Sequence, residues 1–487
     1  MLSSKFDAQE CYEESLASGY QLLPMKFHRM KRGDYVITNM VGEHMVVARG
    51  VLQSLVDGEI RPDDTYYNDL KSKHFILDSD SNSAIDLLAL KYRTKQHTVA
   101  RFTALHIFVV SLRCDYSCQY CQVSRRMEAE DAFDMDEETA LKSLDLVFRS
   151  PSGAIKIEFQ GGEPLLNFPI IKFIVENAEK INQGQRRDLQ FVITTNLTYL
   201  DEDVIRFCEA HSIHLSTSLD GPEFLHNKNR PRPNKDGYKK TIEGIKAVQN
   251  SLGVDRVSAL MTTTEESLKS PIEVVNEYVR NNLNSIFLRP ISPYGFAIKT
   301  KQLQKYNIDH WMKFYRDGLD YILELNQSGY FLVEQYTSIL LRKILTPSNS
   351  GYVDLQSPAG IGISALVYNF DGDVYASDEA RMLKEMGDDK FRLGSVHHNT
   401  YEEIMLADTL LDALEESLTD SVPMCSDCGL QPYCGADPVY HYATQGDVVG
   451  KKPLSFFCNK NTSIIEHIIG LLEDPKKRKV LEGWVRC

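Results

Sequence analysis

Apolar and polar positions alternate at Tyr35-Val-Ile-Thr38 and His44-Met-Val-Val47, and with Asn39 to Gly42 between them they predict a hairpin. Helical spacing follows in Val51, Leu52, Leu55 and Val56, stopping at Gly58, and recurs around Tyr66 and Leu70. Pro24 to about Leu77 therefore reads as a small mixed α+β module. The polar stretch Asp78 to Ser83 and the basic stretch Lys91 to Arg101 read as linker before a strongly apolar strand opens at Leu105.

From Leu105 to about Ile291 strand and helix patterns alternate, as in a parallel sheet covered by helices. The predicted strands are Leu105 to Ser111, Ile155 to Phe159, Leu189 to Thr194, Ile213 to Leu219, Val257 to Thr262 and Ile286 to Ile291. Asp136 is placed to cap a helix carrying Leu141, Leu144 and Phe148, and Ser270-Pro-Ile-Glu273 reads as a capping box. Six such units predict an α/β fold with an incomplete or open (β/α)6 barrel, whose chemistry sits at the carboxyl ends of its strands. Lys301 to Leu345 reads as helical, and Gly351 to Cys487 holds shorter strands, Gly-Asp turns and most of the remaining cysteines. The expected domains are 1–100, 101–330 and 331–487, without internal repeats.

A chain of 487 residues exceeds one ordinary core, which supports the division. Its net charge of −14 would repel a phosphate backbone, so nucleic acid is not an expected partner. Met1 to Ser15 lacks the order of a signal peptide, and the apolar run Ile107 to Leu112 is far short of the ~20 residues of a membrane helix. The expectation is a soluble, cytoplasmic protein with no membrane association. There clustered thiols bind metal more often than they pair, and seven of the ten cysteines fall into two groups.

The first group is Leu112-Arg-Cys-Asp-Tyr-Ser-Cys-Gln-Tyr-Cys121, after the first strand of the alternating region. Cys114, Cys118 and Cys121 in CxxxCxxC spacing suit three irons of a four-iron cluster and leave the fourth iron open. Zinc would ordinarily need a fourth ligand, and no Cys or His follows closely. After the second strand comes Gln160-Gly-Gly-Glu-Pro164, where Gly161 and Gly162 permit close approach and Glu163 offers an acceptor for an ammonium group. Thr194-Thr-Asn196 and Ser218-Leu-Asp-Gly-Pro222 end the third and fourth strands; the latter is also an ordinary turn sequence.

Together these motifs resemble the radical S-adenosylmethionine (SAM) superfamily, including the aromatic Tyr120 before the third cysteine, the GGEP run ending at Pro164, and a Thr-Asn-Gly motif in which Leu197 replaces glycine. The resemblance implies a [4Fe-4S] cluster that cleaves SAM reductively, giving a 5′-deoxyadenosyl radical that abstracts a substrate hydrogen. It also implies SAM contacts by Ser218 to the carboxylate and Asn196 near the ribose, with Arg230, in His226-Asn-Lys-Asn-Arg230, a further candidate for the carboxylate. An electron donor such as flavodoxin or ferredoxin is the expected partner.

The second group is Cys425-Ser-Asp-Cys428, Cys434 and Cys458, whose spacing alone suits zinc or a second cluster. The segment resembles the SPASM domain of radical SAM maturases, which implies one auxiliary [4Fe-4S] cluster on these four cysteines. A second auxiliary cluster would need cysteines near Ser357, at Ser377 and at Pro438, and none is present. Gly372-Asp-Val-Tyr-Ala-Ser-Asp378 is similar to a run in sulfatase maturases, making Asp378 a candidate base beside its reading as a solvated turn carboxylate. Cys11, Cys208 and Cys487 stand alone.

Leu105 to Arg125, with Leu23-Pro-Met-Lys-Phe27 and Tyr67 to Phe75, resembles the maturase of the His-Xaa-Ser system. That implies a ribosomally made peptide or protein substrate with a leader segment and a paired second radical SAM maturase, and the amino-terminal module resembles a leader-binding domain that works by strand addition. Two other readings stay open: sulfatase-type formylglycine formation, and a non-catalytic iron-sulfur electron-transfer protein. The second needs the cysteines but not Gly161, Gly162, Glu163 or Ser218.

Overall fold

The computed structural model describes residues 19–79, 83–100, 102–299, 306–347 and 351–485. Expectations for Met1 to Ser15, Cys11, Arg101, Lys301 to Lys305 and Cys487 lie outside these residues.

The amino-terminal module contains the expected hairpin, preceded by a strand that the alternation did not mark. Strands β1 (Met25–Arg29), β2 (Tyr35–Asn39) and β3 (His44–Val47) form an antiparallel sheet in that order. Helices Arg49–Val56 and Tyr67–Ser72 cover it around a small core of Ile37, Leu55, Leu70 and Phe75.

The expected linker over Lys91 to Arg101 is corrected: helix Ala84–Gln96 and a short 3-10 turn, His97–Ala100, occupy most of it. Two of its lysines have partners in other parts of the chain. Lys91 pairs with Glu43, and Lys95 Nζ donates to the carbonyls of Val41 (3.3 Å) and Pro432 (2.9 Å).

The alternating region builds β4 (Leu105–Ser111), β5 (Ala154–Gly161), β6 (Asp188–Thr194), β7 (His214–Ser218), β8 (Val257–Thr262) and β9 (Leu288–Arg289). They lie side by side, all parallel, in chain order. The unbroken apolar run of β4 makes sense at the middle of a sheet covered on both faces. The sixth expected strand is broken: Ser285–Ile286 pairs with Val333–Glu334, and only Leu288–Arg289 joins the sheet. Asp136 caps helix Glu137–Arg149 as expected, whereas the capping box at Ser270 does not form, since no side chain caps helix Pro271–Arg280.

The sheet also crosses the expected boundary at 331. Strand β10 (Ala365–Tyr368) pairs parallel with β4, and β11 (Asp373–Tyr375) and β12 (Arg392–Ser395) extend it antiparallel, giving nine strands in order β9-β8-β7-β6-β5-β4-β10-β11-β12. The Tyr368 ring packs against that of Phe108, tilted by 35° with centres 5.1 Å apart, joining the two segments in one core. The region 301–345, read as helical throughout, contains helices Ile308–Gln327 and Gln335–Leu345 separated by the strand pair partner Val333–Glu334.

The amino-terminal sheet docks on the segment that carries the second cysteine group. Thr38 Oγ1 donates to the Gly429 carbonyl at 2.6 Å, Tyr433 Oη to the Gly42 carbonyl at 2.7 Å, and Lys26 Nζ to Gln431 Oε1 at 3.1 Å.

Candidate active site

The loop after β4 carries Cys114, Cys118 and Cys121, all half-buried. Backbone bonds shape it: Cys114 N–H donates to the Arg126 carbonyl, Cys121 N–H to Cys118, and Gln119 N–H to Asn229. Tyr116 N–H points at Cys114 Sγ at 3.4 Å. Burial pushes the Cys118 thiol up to about 12 with the Arg230 cation opposing, and burial and then Cys118 raise Cys114. Thiolates so placed need the charge of a metal centre, which suits a cluster whose ligands must be deprotonated.

Gly161 and Gly162 serve this loop from the end of β5. A Cβ on Gly161 would fall 1.9 Å from the Ser111 carbonyl oxygen, and one on Gly162 2.3 Å from that of Arg113. Gly161 also has a φ of +149°, a conformation that a side chain rarely adopts. The glycines therefore let β5 press against the base of the cysteine loop.

Glu163 and Pro164 are buried and do not join the cavity lining, and the carboxylate of Glu163 makes internal hydrogen bonds. It accepts from Leu165 N–H (3.0 Å), Thr195 Oγ1 (2.6 Å) and Asn196 N–H (2.7 Å), tying the end of β5 to the end of β6. Burial outweighs those donors and pushes its pKa up to about 7. Pro164 opens the short 3-10 turn Pro164–Asn167.

The remaining expected residues converge. Cys114, Cys118, Tyr120, Cys121, Gly161, Gly162, Asn196, Ser218, Arg230 and Asp378 line one cavity of about 220 Å³ at the carboxyl ends of the strands. Asn196 is held by Asp115, whose Oδ1 accepts from its side-chain amide at 2.8 Å. Leu197 keeps the left-handed backbone for which glycine is suited, with φ +64°, and is buried against helix Gly237–Leu252 where Gly244 leaves room. Asp378 begins helix Asp378–Lys384 and lies 3.5 Å from Arg381.

Sequence reasoning missed Asp220, which it left as part of a turn. Fully buried, Asp220 accepts from Tyr120 Oη and from Arg230 Nε at 3.2 Å, while the Arg230 guanidinium sits 5.3 Å from the Tyr120 ring centre. The triad fixes Tyr120 and Arg230 beside Cys118. An arginine ten residues after an aspartate is no local signal, and only the fold closes it. Glu158 and Arg289 also line the cavity without a motif to announce them, as does Gln160, which opens the glycine run but was given no role of its own.

The second group gathers as well. Cys425, Cys428 and Cys434 lie in successive turns, and Cys458 sits in the first turn of helix Phe456–Leu472, its N–H donating to the Ser455 cap at 3.3 Å. Leu430 N–H approaches Cys428 Sγ at 3.4 Å. Burial and then the neighbouring thiols raise Cys434 to about 12, with the same ordering of burial first at Cys425, which reaches about 11. Among the described residues no three Cys, His, Asp or Glu side chains converge on a single metal ion. The four thiols nonetheless lie near enough for Cys458, Cys425 and Cys428 each to raise Cys434, and a cubane, with each corner iron bound by one cysteine, spreads its ligands more widely than a lone ion does. Cys208 is buried and apart from both groups.

Residues 108–277, which include the first cysteine group and the glycine pair, match the Radical SAM superfamily. The chain carries a radical SAM domain. It is 22% identical over 377 residues to a cysteine-type anaerobic sulfatase-maturating enzyme of Clostridium novyi, covering 74% of this chain and 94% of that protein. It is 32% identical to an uncharacterised protein of Methanocaldococcus jannaschii, but over only 29% of this chain and 46% of that protein's length. Its fold matches the anaerobic sulfatase-maturating enzyme anSMEcpe bound to AdoMet and a Cp18Cys peptide, with a TM-score of 0.62, 20% identity and 78% and 99% of the two chains covered. SuiB of Streptococcus suis bound to its precursor peptide SuiA matches with a TM-score of 0.53 at 15% identity, over 88% and 98%. The architecture is thus the radical SAM α/β fold with a parallel core.

Proposed function

We propose that this chain is a radical SAM enzyme that modifies a ribosomally made peptide or protein, of the His-Xaa-Ser type. The observation that carries the reading is the single cavity in which Cys114, Cys118 and Cys121 face Asn196, Ser218, Arg230 and Asp378. When bound there, the cluster and SAM supply one-electron cleavage of a carbon-sulfur bond and hence hydrogen abstraction. The chain's own residues do the rest. Gly161 and Gly162 set the cysteine loop on the sheet, and Asn196 and Ser218 offer polar groups for the adenosyl and methionyl ends of SAM. Arg230 places a cation beside Cys118, and Asp378 offers a carboxylate to take a proton from the substrate.

Cys425, Cys428, Cys434 and Cys458 would hold one auxiliary cluster, fully ligated by protein and suited to passing an electron onward to an external acceptor. A flavodoxin or ferredoxin would supply the electron for cleavage. The amino-terminal module, docked through Thr38 and Gly42 on the second cysteine segment, would bind the leader. A paired maturase would act on the same substrate.

Formylglycine formation is the second reading. It is favoured by Asp378 in the cavity lining and by the named activity of the Clostridium novyi relative. The test is anaerobic incubation of the reconstituted protein with SAM, dithionite and either a His-Xaa-Ser peptide or a Cys-containing sulfatase peptide. A mass change in the first alone supports the primary reading, a change in the second alone supports formylglycine formation, and intact SAM in both refutes the enzyme.

A further inference from the structure

A second chamber adjoins the reaction cavity. Arg289 lines both spaces, and the neighbours Asp378 and Glu379 divide between them, Asp378 facing the cavity and Glu379 the chamber. Three carboxylates, Asp354, Glu379 and Asp437, meet there, with Arg289 and Lys460 as the lining cations. Among the described residues none of the three carboxylates forms a salt bridge, and each feels the others or the cations only at longer range. The Lys460 ammonium instead lies 4.6 Å from the Tyr336 ring centre and 5.3 Å from that of Phe457.

Two donors in the chamber wall lack partners. Tyr294 Oη and Trp311 Nε1 have no hydrogen bond, although each residue is only 1% exposed. The charges that bear on the Tyr294 hydroxyl are Asp437, Glu379 and Asp354, so it faces the acids. Buried donors without acceptors are costly, and a native site keeps them for an occupant.

We propose that this chamber binds a cationic side chain of the substrate peptide, which rests on the reading that the substrate is a peptide. By count the lining carries one more acid than base, and a cation seated among the buried acids would supply the counter-charge that their burial calls for. Its walls are aromatic, which suits an organic cation over a ring face. Among the described residues no three acids, histidines or cysteines converge on a single metal ion, so the lining suits an organic cation with several N–H groups, a guanidinium, ammonium or imidazolium, better than a bare one. Carbonyl oxygens of the same peptide satisfy Tyr294 and Trp311. About 60 Å³ is open to water-sized groups, room for the head of one such side chain. With the cation seated there, the shared Arg289 boundary leaves an adjacent peptide residue in the reaction cavity. The chamber is thus a specificity site that sets which residue faces Asp378.

The test is calorimetric titration of the reconstituted full chain with N-acetyl-L-arginine amide and with its neutral isostere, N-acetyl-L-citrulline amide. The expected result is binding of the arginine compound at least about tenfold tighter. An Asp354→Asn, Glu379→Gln double variant, checked for folding by iron content and melting temperature, is expected to lose that preference. Equal affinities, no binding of either compound, or a preference that survives in the variant would each overturn the proposal. Binding needs no turnover, so this result stands apart from the peptide mass change that tests the enzymatic reading.

Discussion

At the scale of single residues, the cysteines and glycines were legible because their chemistry depends on local spacing, and the loop that β4 ends in brings all three thiols to one cavity. The internal bonding of Glu163 was not, because it depends on β6, whose end supplies Thr195 and Asn196 as donors. Glu163→Ala strips three buried donors of their acceptor and is expected to cost about 2–4 kcal/mol, measured by chemical denaturation of the apoprotein. Gly162→Ala is expected to prevent full loading of the first cluster, read as lost iron, since the new Cβ would meet backbone and not a movable side chain. Glu334 gives a pH prediction. Fully buried, it accepts from Leu288 N–H (3.1 Å), Thr337 N–H (2.6 Å) and Tyr315 Oη (2.9 Å), and burial raises it above its ordinary 4.5. The folded state therefore holds this proton more tightly than the unfolded chain. Its contribution is full below 4.5 and is lost as pH rises from there through the raised value. Glu334→Gln is expected to flatten that part of the stability curve, measured by melting temperature against pH.

At the scale of elements, the six-strand pattern was readable because parallel strands covered on both faces are continuous apolar runs between helices with clear starts. Observed ends agree closely for the first five strands. The sixth broke because Phe287 interrupts it, leaving Ser285–Ile286 and Leu288–Arg289 with different partners. Helix Ala84–Gln96 was hidden because exposed Ile85, Leu87 and Leu90 blur its apolar face, and its lysines find partners distant in sequence, among them the hairpin turn and Pro432. Leu197 and helix Gly237–Leu252 form a pair that can be tested as one. A Cβ on Gly244 would lie 2.6 Å from Leu197 Cβ, so Gly244→Ala is expected to destabilise by about 1–3 kcal/mol despite alanine's better helix propensity. In a Leu197→Gly background the same change is expected to stabilise by about 1 kcal/mol. A double-mutant cycle by denaturant unfolding checks the reversal of sign.

At the scale of the whole molecule, the sequence pattern separated three regions, but the long-range joins between them could not be read from it. Strand β10 completes the sheet beside β4, and the amino-terminal sheet rests on the turns of the second cysteine group. Strand pairing and docking of this kind rest on shape and on backbone carbonyls, which leave no residue pattern. Thr38→Val removes the buried bond to Gly429 and is expected to cost about 1–2 kcal/mol. Because Gly429 follows Cys428, the same variant is expected to alter the paramagnetic resonance of the reduced auxiliary cluster while leaving that of the first cluster in place.

The central claim is that Cys114, Cys118 and Cys121 hold a SAM-cleaving cluster and that the second cysteine group holds another. Anaerobic reconstitution, with iron, zinc and 5′-deoxyadenosine measured on the same sample, tests it most directly. The account predicts about eight irons per chain, and about four with no 5′-deoxyadenosine after Cys118→Ala. Zinc at the second group, or 5′-deoxyadenosine formed undiminished by the Cys118→Ala protein, would contradict it.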